Sequence, residues 1–263
     1  MTPGYLFYVC LILLALDSHP DYSLILAANR DEFYDRPTAP AAFWDDAPTV
    51  LAGRDLKAGG TWLGIDGHGR FAAVTNYRQG ERETPAPRSR GLLVSDFLTR
   101  DVGALEHVER VRAESELYNG FNLITGDPWG VFYFSNRQRR VRHLKPGVYG
   151  LSNHLLDTPW PKVAASKNAL GKLLGSGASD LTGELFALLS DRSRAADAVL
   201  PSTGVSPEWE SLLSSAFIAT DNYGTRSATV MLIGRDGSMS FIERSFGPQG
   251  VPGGETRFEF QTG

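Results

Sequence analysis

The stretch Val9-Cys10-Leu11-Ile12-Leu13-Leu14 decides the fold that we expect, together with Asn29-Arg30-Asp31-Glu32 further along the chain. Cys10 is the only cysteine, and it begins an apolar run that is typical of a buried strand. A second apolar run, residues 23–28, ends in the polar cluster. The turn between the runs has the length of a hairpin connection, so the two runs can pair antiparallel. Such pairing would carry the polar cluster back beside Cys10.

Cys10 has two interpretations. A lone buried cysteine is usually a small apolar residue and nothing more. If translation begins at Val9, however, removal of the initiator methionine leaves Cys10 with a free α-amino group, whose reference pKa of about 7.7–8.0 is close to the value of about 8.5 for a thiol. That amine can take the thiol proton itself, which is the N-terminal-nucleophile arrangement. As the sequence is written, residue 10 has an amide nitrogen that cannot act as a base, so the chemistry depends on residues 1–9.

Composition narrows the class of protein. The chain has 263 residues, of which 42% are apolar, enough for a substantial core in one domain. The net charge of −4 argues against non-specific binding of nucleic acid, which needs a basic face. A single cysteine excludes an internal disulfide framework and a zinc site built from several thiolates. Residues 5–16 form an apolar run too short to span a bilayer as a helix, so we expect no integral membrane segment and a cytoplasmic location.

The order of elements predicts the fold class. Strand patterns come first, helical patterns occupy the middle and strand patterns return at the end, which favours an α+β protein with a four-layer αββα sandwich. A doubly wound parallel sheet would need regular alternation of strands and helices, which residues 1–80 lack. We expect one domain over residues 1–263, with residues 1–9 as an N-terminal extension and 247–263 as a tail. Within the tail, the Gly/Pro-rich segment 247–254 predicts a linker, and Arg257 to Phe260 can add an edge strand. Residues 35–48 are rich in proline and alanine and predict a loop.

Isolated polar residues follow several of the apolar runs. They are Asn29, Asp31, Asn76, Asn153 and Arg226. Turn chemistry explains any one of them, because Asn and Asp favour strand exits. As a set they also suit acyl transfer through a thiolate, in which Asn76 and Asn153 donate to the developing oxyanion and Asp31 orients the attacking group. A cation such as Arg226 or Arg30 would lower the thiol pKa.

The segment 78–90 combines four arginines with two prolines and little apolar content. It follows Asn76 closely, and its arginines could meet an anionic ligand, which predicts a lid over the site. A solvated surface loop is the alternative.

Several linked motifs run through the chain. They are Ala28-Asn29-Arg30-Asp31-Glu32-Phe33-Tyr34, Ala52-Gly53-Arg54-Asp55, Gly59-Gly60-Thr61-Trp62-Leu63-Gly64, Thr75-Asn76-Tyr77-Arg78, Tyr118-Asn119-Gly120-Phe121-Asn122 and Gly150-Leu151-Ser152-Asn153. Together they resemble the NRDE family, also called the transport and Golgi organization protein 2 family. The resemblance runs from Val9 to about Arg244. Members typically begin Met-Cys, so Val9-Cys10 falls where Met-Cys would be.

A more distant resemblance is to the cysteine N-terminal-nucleophile (Ntn) hydrolases of the choloylglycine and penicillin V acylase group. It implies an Ntn-hydrolase-like fold with Cys10 as nucleophile and Asp31 as the residue that orients its amine. It also implies that Asn76 and Asn153 serve the oxyanion and that Arg226 is a cationic support. The chain departs from that group at Ala28, where the group carries an arginine.

Two functions from different classes follow. The first is a cysteine amidohydrolase that acts on a linear C–N amide or N-acyl substrate and requires no cofactor. The second is a non-catalytic carrier that binds haem or an acyl-CoA-like ligand in the same pocket, as the family resemblance implies. Cys10 or His154 would then be the haem ligand. For either function we expect ligand contacts from Asn29, Arg30, Glu32, Arg78 and His154.

Overall fold

The computed structural model describes residues 10–78 and 85–262. Within them the strands are β1 Cys10–Leu16, β2 Tyr22–Phe33, β3 Thr38–Trp44, β4 Ala47–Asp55, β5 Leu63–Asp66, β6 Phe71–Asn76, β7 Phe121–Asp127, β8 Gly130–Ser135, β9 Arg142–Leu144, β10 Gly147–Leu151, β11 Tyr223–Gly234, β12 Ser238–Phe246 and β13 Pro252–Gln261. The helices are α1 Gly91–Leu98, α2 Ala104–Ala113, α3 Pro161–Leu174, α4 Leu181–Leu189 and α5 Pro207–Leu212.

The strands form two antiparallel sheets. One has the order β10-β1-β2-β11-β12-β13, and the other has the order β3-β4-β5-β6-β7-β8-β9. All of the described pairings between these strands are antiparallel, which excludes the doubly wound parallel alternative. The predicted pairing of the first two apolar runs is confirmed, because Cys10 lies opposite Arg30 and Leu11 lies opposite Asn29. Cys10 therefore stands at the end of a central strand, as expected.

Alternating side chains build the four layers. Ile12, Leu14 and Leu26 pack between the two sheets, where they meet apolar residues of the second sheet. Leu11 and Leu13, on the other face of β1, pack against α3 and α4. Helices α1 and α2 cover the outer face of the second sheet. Each fully buried leucine contributes about 1.5–3 kcal/mol relative to an exposed one. The predicted α+β class and the αββα sandwich are confirmed.

One predicted loop is a strand instead. Residues 35–48, predicted as a loop, contain β3 and the start of β4. Proline is tolerated in β3 because β3 is an edge strand, and the partly exposed Phe43 packs edge-on against Phe258 and Phe260 of β13. Local composition hid β3, since tertiary pairing overrides weak strand propensity.

In the tail, the predicted edge strand at residues 257–260 is confirmed, because it lies within β13. The strand is longer than predicted, since β13 begins at Pro252, inside the predicted linker, and pairs along β12.

Within the described residues, no helix is both long enough and apolar enough to cross a membrane.

Candidate active site

A cavity of about 530 Å³ lies where β1 begins and the polar cluster of β2 ends. Trp62, Val74 and Asn76 line it from the side of the second sheet, and Phe246 adds apolar surface from the first. Six of the ten predicted site residues line this cavity: Cys10, Arg30, Asp31, Glu32, Asn76 and Arg226. Asn29, Arg78, Asn153 and His154 lie outside its lining. Because the cavity has both charged and apolar walls, it suits a ligand with both kinds of surface.

Cys10 sits on the cavity wall with 7% of its surface exposed. Burial and the negative charge of Asp31 raise the pKa of the thiol to about 12, while the Asp31 backbone and the charges of Arg30 and Lys162 oppose that rise. Its backbone nitrogen donates to Asn153 Oδ1 at 3.2 Å, and its carbonyl accepts from Ser152 Oγ at 2.7 Å. The nitrogen of residue 10 is thus held in place by a side-chain acceptor.

Asp31 is the carboxylate that, after burial, contributes most to the raised thiol pKa of Cys10. Its Oδ1 accepts from Thr225 Oγ1 at 2.7 Å, whereas its buried Oδ2 has no hydrogen-bond partner in the described chain. Burial raises the pKa of Asp31 to about 6, against the charge of Lys162 and the Thr225 hydrogen bond. An open buried acceptor can receive a further donor, and an unmet one is costly.

Asn153 acts on the backbone of the site. Its Oδ1 accepts from the Cys10 nitrogen and from Ser152 Oγ at 3.0 Å, and its Nδ2 donates to the Asn76 carbonyl at 3.0 Å. Its amide group therefore ties residue 10 to the end of β6. Asn76 lines the cavity itself, so it is the better placed of the two asparagines to meet a ligand.

Arg226 anchors the chain that leaves β2. Its Nη1 donates to the carbonyls of Phe33 at 2.8 Å, Arg36 at 3.1 Å and Tyr34 at 3.2 Å. A bulge between Thr225 and Ser227 breaks the register with β2 at this point. The guanidinium lines the cavity, where partial burial lowers its pKa. Arg226 therefore has a structural function besides the predicted cationic support, because its hydrogen bonds fix one wall of the cavity.

Arg30 faces the cavity directly opposite Cys10. Its Nη2 lies 3.6 Å from Glu32 Oε2, which is also 3.6 Å from Arg36 Nε. The Arg30 charge lowers the thiol pKa of Cys10. Arg30 therefore supplies a cation at this wall of the cavity.

The predicted contacts outside the lining have other partners. Asn29 is fully buried, and its Nδ2 donates to the carbonyls of Leu189 and Ala216, both at 2.8 Å. Arg78 pairs with Glu210 at 3.2 Å and lies over the Trp160 ring. In His154, Nδ1 is 2.8 Å from Thr158 Oγ1, and Nε2 is 2.8 Å from the Tyr77 hydroxyl. A haem-ligating role for His154 would therefore break one of two hydrogen bonds.

The structure describes only part of the predicted lid, segment 78–90. Residues 79–84, with Arg82, lie outside the described residues. Arg88 pairs with Asp96 at 2.9 Å and with Glu114 at 3.2 Å, away from the cavity. Arg90 lines the cavity and donates to the Gly120 carbonyl at 3.0 Å. Of the three described arginines in this segment, Arg90 is thus the one placed to meet a ligand.

Sequence reasoning missed Lys162, which is 4% exposed at the start of α3. Its Nζ has no hydrogen-bond partner among the described residues. Burial lowers its pKa to about 8, although the charges of Asp31 and Cys10 oppose that shift. One signal was available in the sequence: a lysine beside Pro161, in the first turn of a helix, stands at the unfavourable end of the helix dipole.

Known proteins match this chain over nearly its whole length. The family described as "Transport and Golgi organisation 2" matches residues 9–248. Its homologue from Bos taurus is 42% identical over 259 residues, covering 90% of this chain and 93% of that protein. The Homo sapiens homologue is 39% identical over 273 residues, covering 96% and 99%, and the Drosophila melanogaster protein is 33% identical over 267 residues, covering 90% and 92%.

Two solved structures are similar at low identity. One is a Caenorhabditis elegans orthologue of N-acylethanolamine-hydrolyzing acid amidase, with a TM-score of 0.47, 12% identity and coverage of 85% of this chain and 92% of that one. The other is a mutant of the conjugated bile acid hydrolase from Clostridium perfringens, with a TM-score of 0.46, 10% identity and coverage of 97% and 92%. The family match and the close relatives decide the question that the motifs raised: the chain belongs to the Transport and Golgi organisation 2 family.

Proposed function

We propose that the protein is a cysteine amide hydrolase of the N-terminal-nucleophile class, which acts on a linear C–N amide or N-acyl substrate. One observation carries the proposal: the thiol of Cys10 lines the cavity while its backbone nitrogen is held by Asn153 Oδ1. Nucleophile and base of this class belong to the same residue, so the nitrogen must be fixed as firmly as the sulfur. The unpartnered Oδ2 of Asp31 is a second acceptor for that nitrogen.

In the proposed reaction, Cys10 supplies both the attacking thiolate and the amine that carries the proton. A free α-amine takes the thiol proton, and the thiolate attacks the carbonyl carbon of the amide. The protonated amine then returns the proton to the leaving nitrogen as the C–N bond breaks, which leaves a thioester on Cys10. Water, deprotonated by the same amine, hydrolyses the thioester and frees the acid. Asn76 is the proposed donor to the oxyanion, since it lines the cavity.

This mechanism requires that residues 1–9 be absent from the active chain. When they are present, the Cys10 nitrogen is an amide and cannot accept a proton, and burial holds the thiol pKa near 12. A thiol with that pKa is almost entirely protonated at neutral pH and is a weak nucleophile. Start of translation at Val9, or cleavage before Cys10, would create the base.

The test compares two forms of the protein. One is the whole chain, and the other carries a single initiator methionine before Cys10, with intact mass used to establish that Cys10 is its first residue. Against a panel of N-acyl amides, we expect hydrolysis by the second form alone and none by its Cys10→Ala variant. A thioester adduct on Cys10, seen by mass after acid quench, would identify the nucleophile. Equal activity of both forms, or none in a chain that begins at Cys10, would refute the proposal.

A carrier function is the second candidate, favoured by the high thiol pKa in a chain that retains residues 1–9. An inert thiol would leave the cavity free to bind an acyl-CoA-like ligand or haem without turnover. Because both His154 nitrogens already have partners, Cys10 is the more direct haem ligand to test. Haem titration of the whole chain would show a Soret shift that Cys10→Ala abolishes. An unchanged Soret band in the whole chain would remove haem as the cargo.

A further inference from the structure

Lys162 is a buried amine without a partner. It is 4% exposed, and its Nζ makes no hydrogen bond within the described residues. Its neighbour Val163 packs against Leu11 and Leu13 of β1, so this turn of α3 is pressed against the strand that begins at Cys10. A buried charged group without hydrogen bonds is unfavourable for folding. Packing alone therefore does not account for a lysine at this position.

The opposite charge is nearby and is also incompletely satisfied. Strand alternation turns Asn29 and Asp31 toward the helix layer, as the bond from Asn29 to the Leu189 carbonyl at the end of α4 shows. Asp31 Oδ2 and Lys162 Nζ both lack hydrogen-bond partners in residues 10–78 and 85–262, so they do not bond to each other. Each nevertheless stabilises the charged form of the other, and Cys10 feels both charges. Lys162 and Asp31 therefore act on Cys10 with opposite signs, the carboxylate raising the thiol pKa and the ammonium lowering it.

We propose that Lys162 is a positioning residue for Cys10, whose ammonium offsets the negative charge of Asp31 and so weakens proton binding by the Cys10 amine and thiol. This inference rests on the proposed function, because it concerns a chain in which Cys10 has a free amine. Asp31 alone would hold that amine as an ammonium, since an adjacent negative charge favours protonation. Lys162 offsets this effect, so that the amine is oriented by Asp31 and is still able to accept a proton.

The proposal has a distinct pH signature. Burial lowers the pKa of Lys162 to about 8, the charge of Arg78 acts in the same direction, and the charges of Asp31 and Cys10 oppose it. The ammonium is therefore present below that pH and is lost as the pH rises through it. Its effect on Cys10 must follow the same course. Removing the cation raises the proton affinity of Cys10 at neutral pH and changes little once Lys162 is already neutral. A residue that served packing alone would not produce a pH-dependent difference.

The experiment measures iodoacetamide alkylation of the chain that begins at Cys10, followed by intact mass from about pH 5.5 to 9.5. Cys10 is the only cysteine, so one thiol adduct reports one site. We expect Lys162→Met to react about tenfold more slowly than the parent at pH 7, a shift of about one pH unit. The difference should shrink above pH 8. Lys162→Arg should stay near the parent rate, because the charge is kept.

Lys167→Met is the matched control, since Lys167 lies on the same helix but is partly exposed and bonds to Asp157. It should alkylate like the parent at every pH. If Lys162→Met does not fold, Lys162→Gln provides the neutral variant, with thermal unfolding as the check in each case. A folded neutral variant whose profile matches the parent would overturn the inference. Alkylation needs no substrate, so this outcome is separate from a failure of amide hydrolysis.

Discussion

The two faces of β2 use the same kind of residue in opposite ways. Arg30 and Glu32 turn toward the cavity, where they form a loose ion-pair group with Arg36. Asn29 and Asp31 lie on the face toward the helix layer, where Asn29 has two backbone acceptors. Asp31 also borders the cavity, and one of its oxygens has no hydrogen-bond partner among the described residues. A charge in a closed layer is weakly screened, so it acts strongly on its neighbours. Lys162 lies outside the cavity lining and still acts on Cys10, which teaches that a residue can tune the thiol from the helix layer without bordering the cavity.

Asn29 should give the largest effect on folding. Asn29→Ala leaves the buried carbonyls of Leu189 and Ala216 without their donor and creates a small void. We expect the free energy of unfolding to fall by about 3 kcal/mol in urea titration. Arg30→Met, on the cavity face, is the control and should cost clearly less. Similar losses for both variants would contradict the distinction between the two faces.

The variant Asp31→Asn tests how the buried charge of Asp31 affects the free energy of unfolding. Its folded pKa of about 6 lies above the ordinary value of 3.8, so the stability it contributes is complete below about pH 4 and is lost as the pH rises through 6. We expect Asp31→Asn to remove this pH dependence, so that the free energy of unfolding no longer falls between pH 4 and pH 7, while abolishing hydrolysis. Chemical unfolding at pH 4 and pH 7 would measure it. A stability loss at pH 7 would show that the carboxylate is held favourably.

A variant of Arg226 tests the cavity side of the comparison, namely whether this arginine anchors the cavity wall. Arg226→Met removes the donor shared by the carbonyls of Phe33, Tyr34 and Arg36. We expect a loss of about 1–2 kcal/mol and faster amide hydrogen exchange confined to residues 33–36. Arg244→Met is the control, since Arg244 pairs with Glu255 at a half-exposed site. Unchanged exchange at residues 33–36 would mean that Arg226 does not anchor this wall.

Arg90 should give the smallest effect. It lines the cavity, whereas Arg88 is bound to Asp96 and Glu114 outside it. Arg90→Gln should weaken binding of an acyl-CoA-like anionic ligand about threefold to tenfold, which is of the order of one charge-assisted contact. Arg88→Gln should leave affinity unchanged in the same calorimetric titration. If both variants bind like the parent, this segment does not serve as an anion-binding lid.

How well this site can be predicted depends on how far apart in sequence its interacting residues lie. The hairpin that brings Cys10 beside Arg30 was predictable because two apolar runs and their turn lie close together in sequence. The burial of Lys162 was not, because it depends on how α3 docks against a strand far away in the chain. Asn153 illustrates an intermediate case: the sequence predicted that it belongs to the same site as Cys10, but its bond to the Cys10 nitrogen required the structure.

The missed strand β3 has a different cause. Its prolines and alanines carry little strand propensity, and pairing with β4 together with contacts from Phe43 to β13 supplies the order. This strand also contributes Thr38, Ala39 and Pro40 to the cavity lining. Part of the site was therefore hidden in a segment whose composition favours a loop.

The central claim is that Cys10 becomes the first residue of the working protein. Intact mass of the protein made from its native gene, with its own upstream region, tests this claim directly. The account predicts a mature chain that begins at Cys10. A chain that still begins at Met1 or Thr2 would contradict it, because the Cys10 nitrogen would then remain an amide and the site would lack its base.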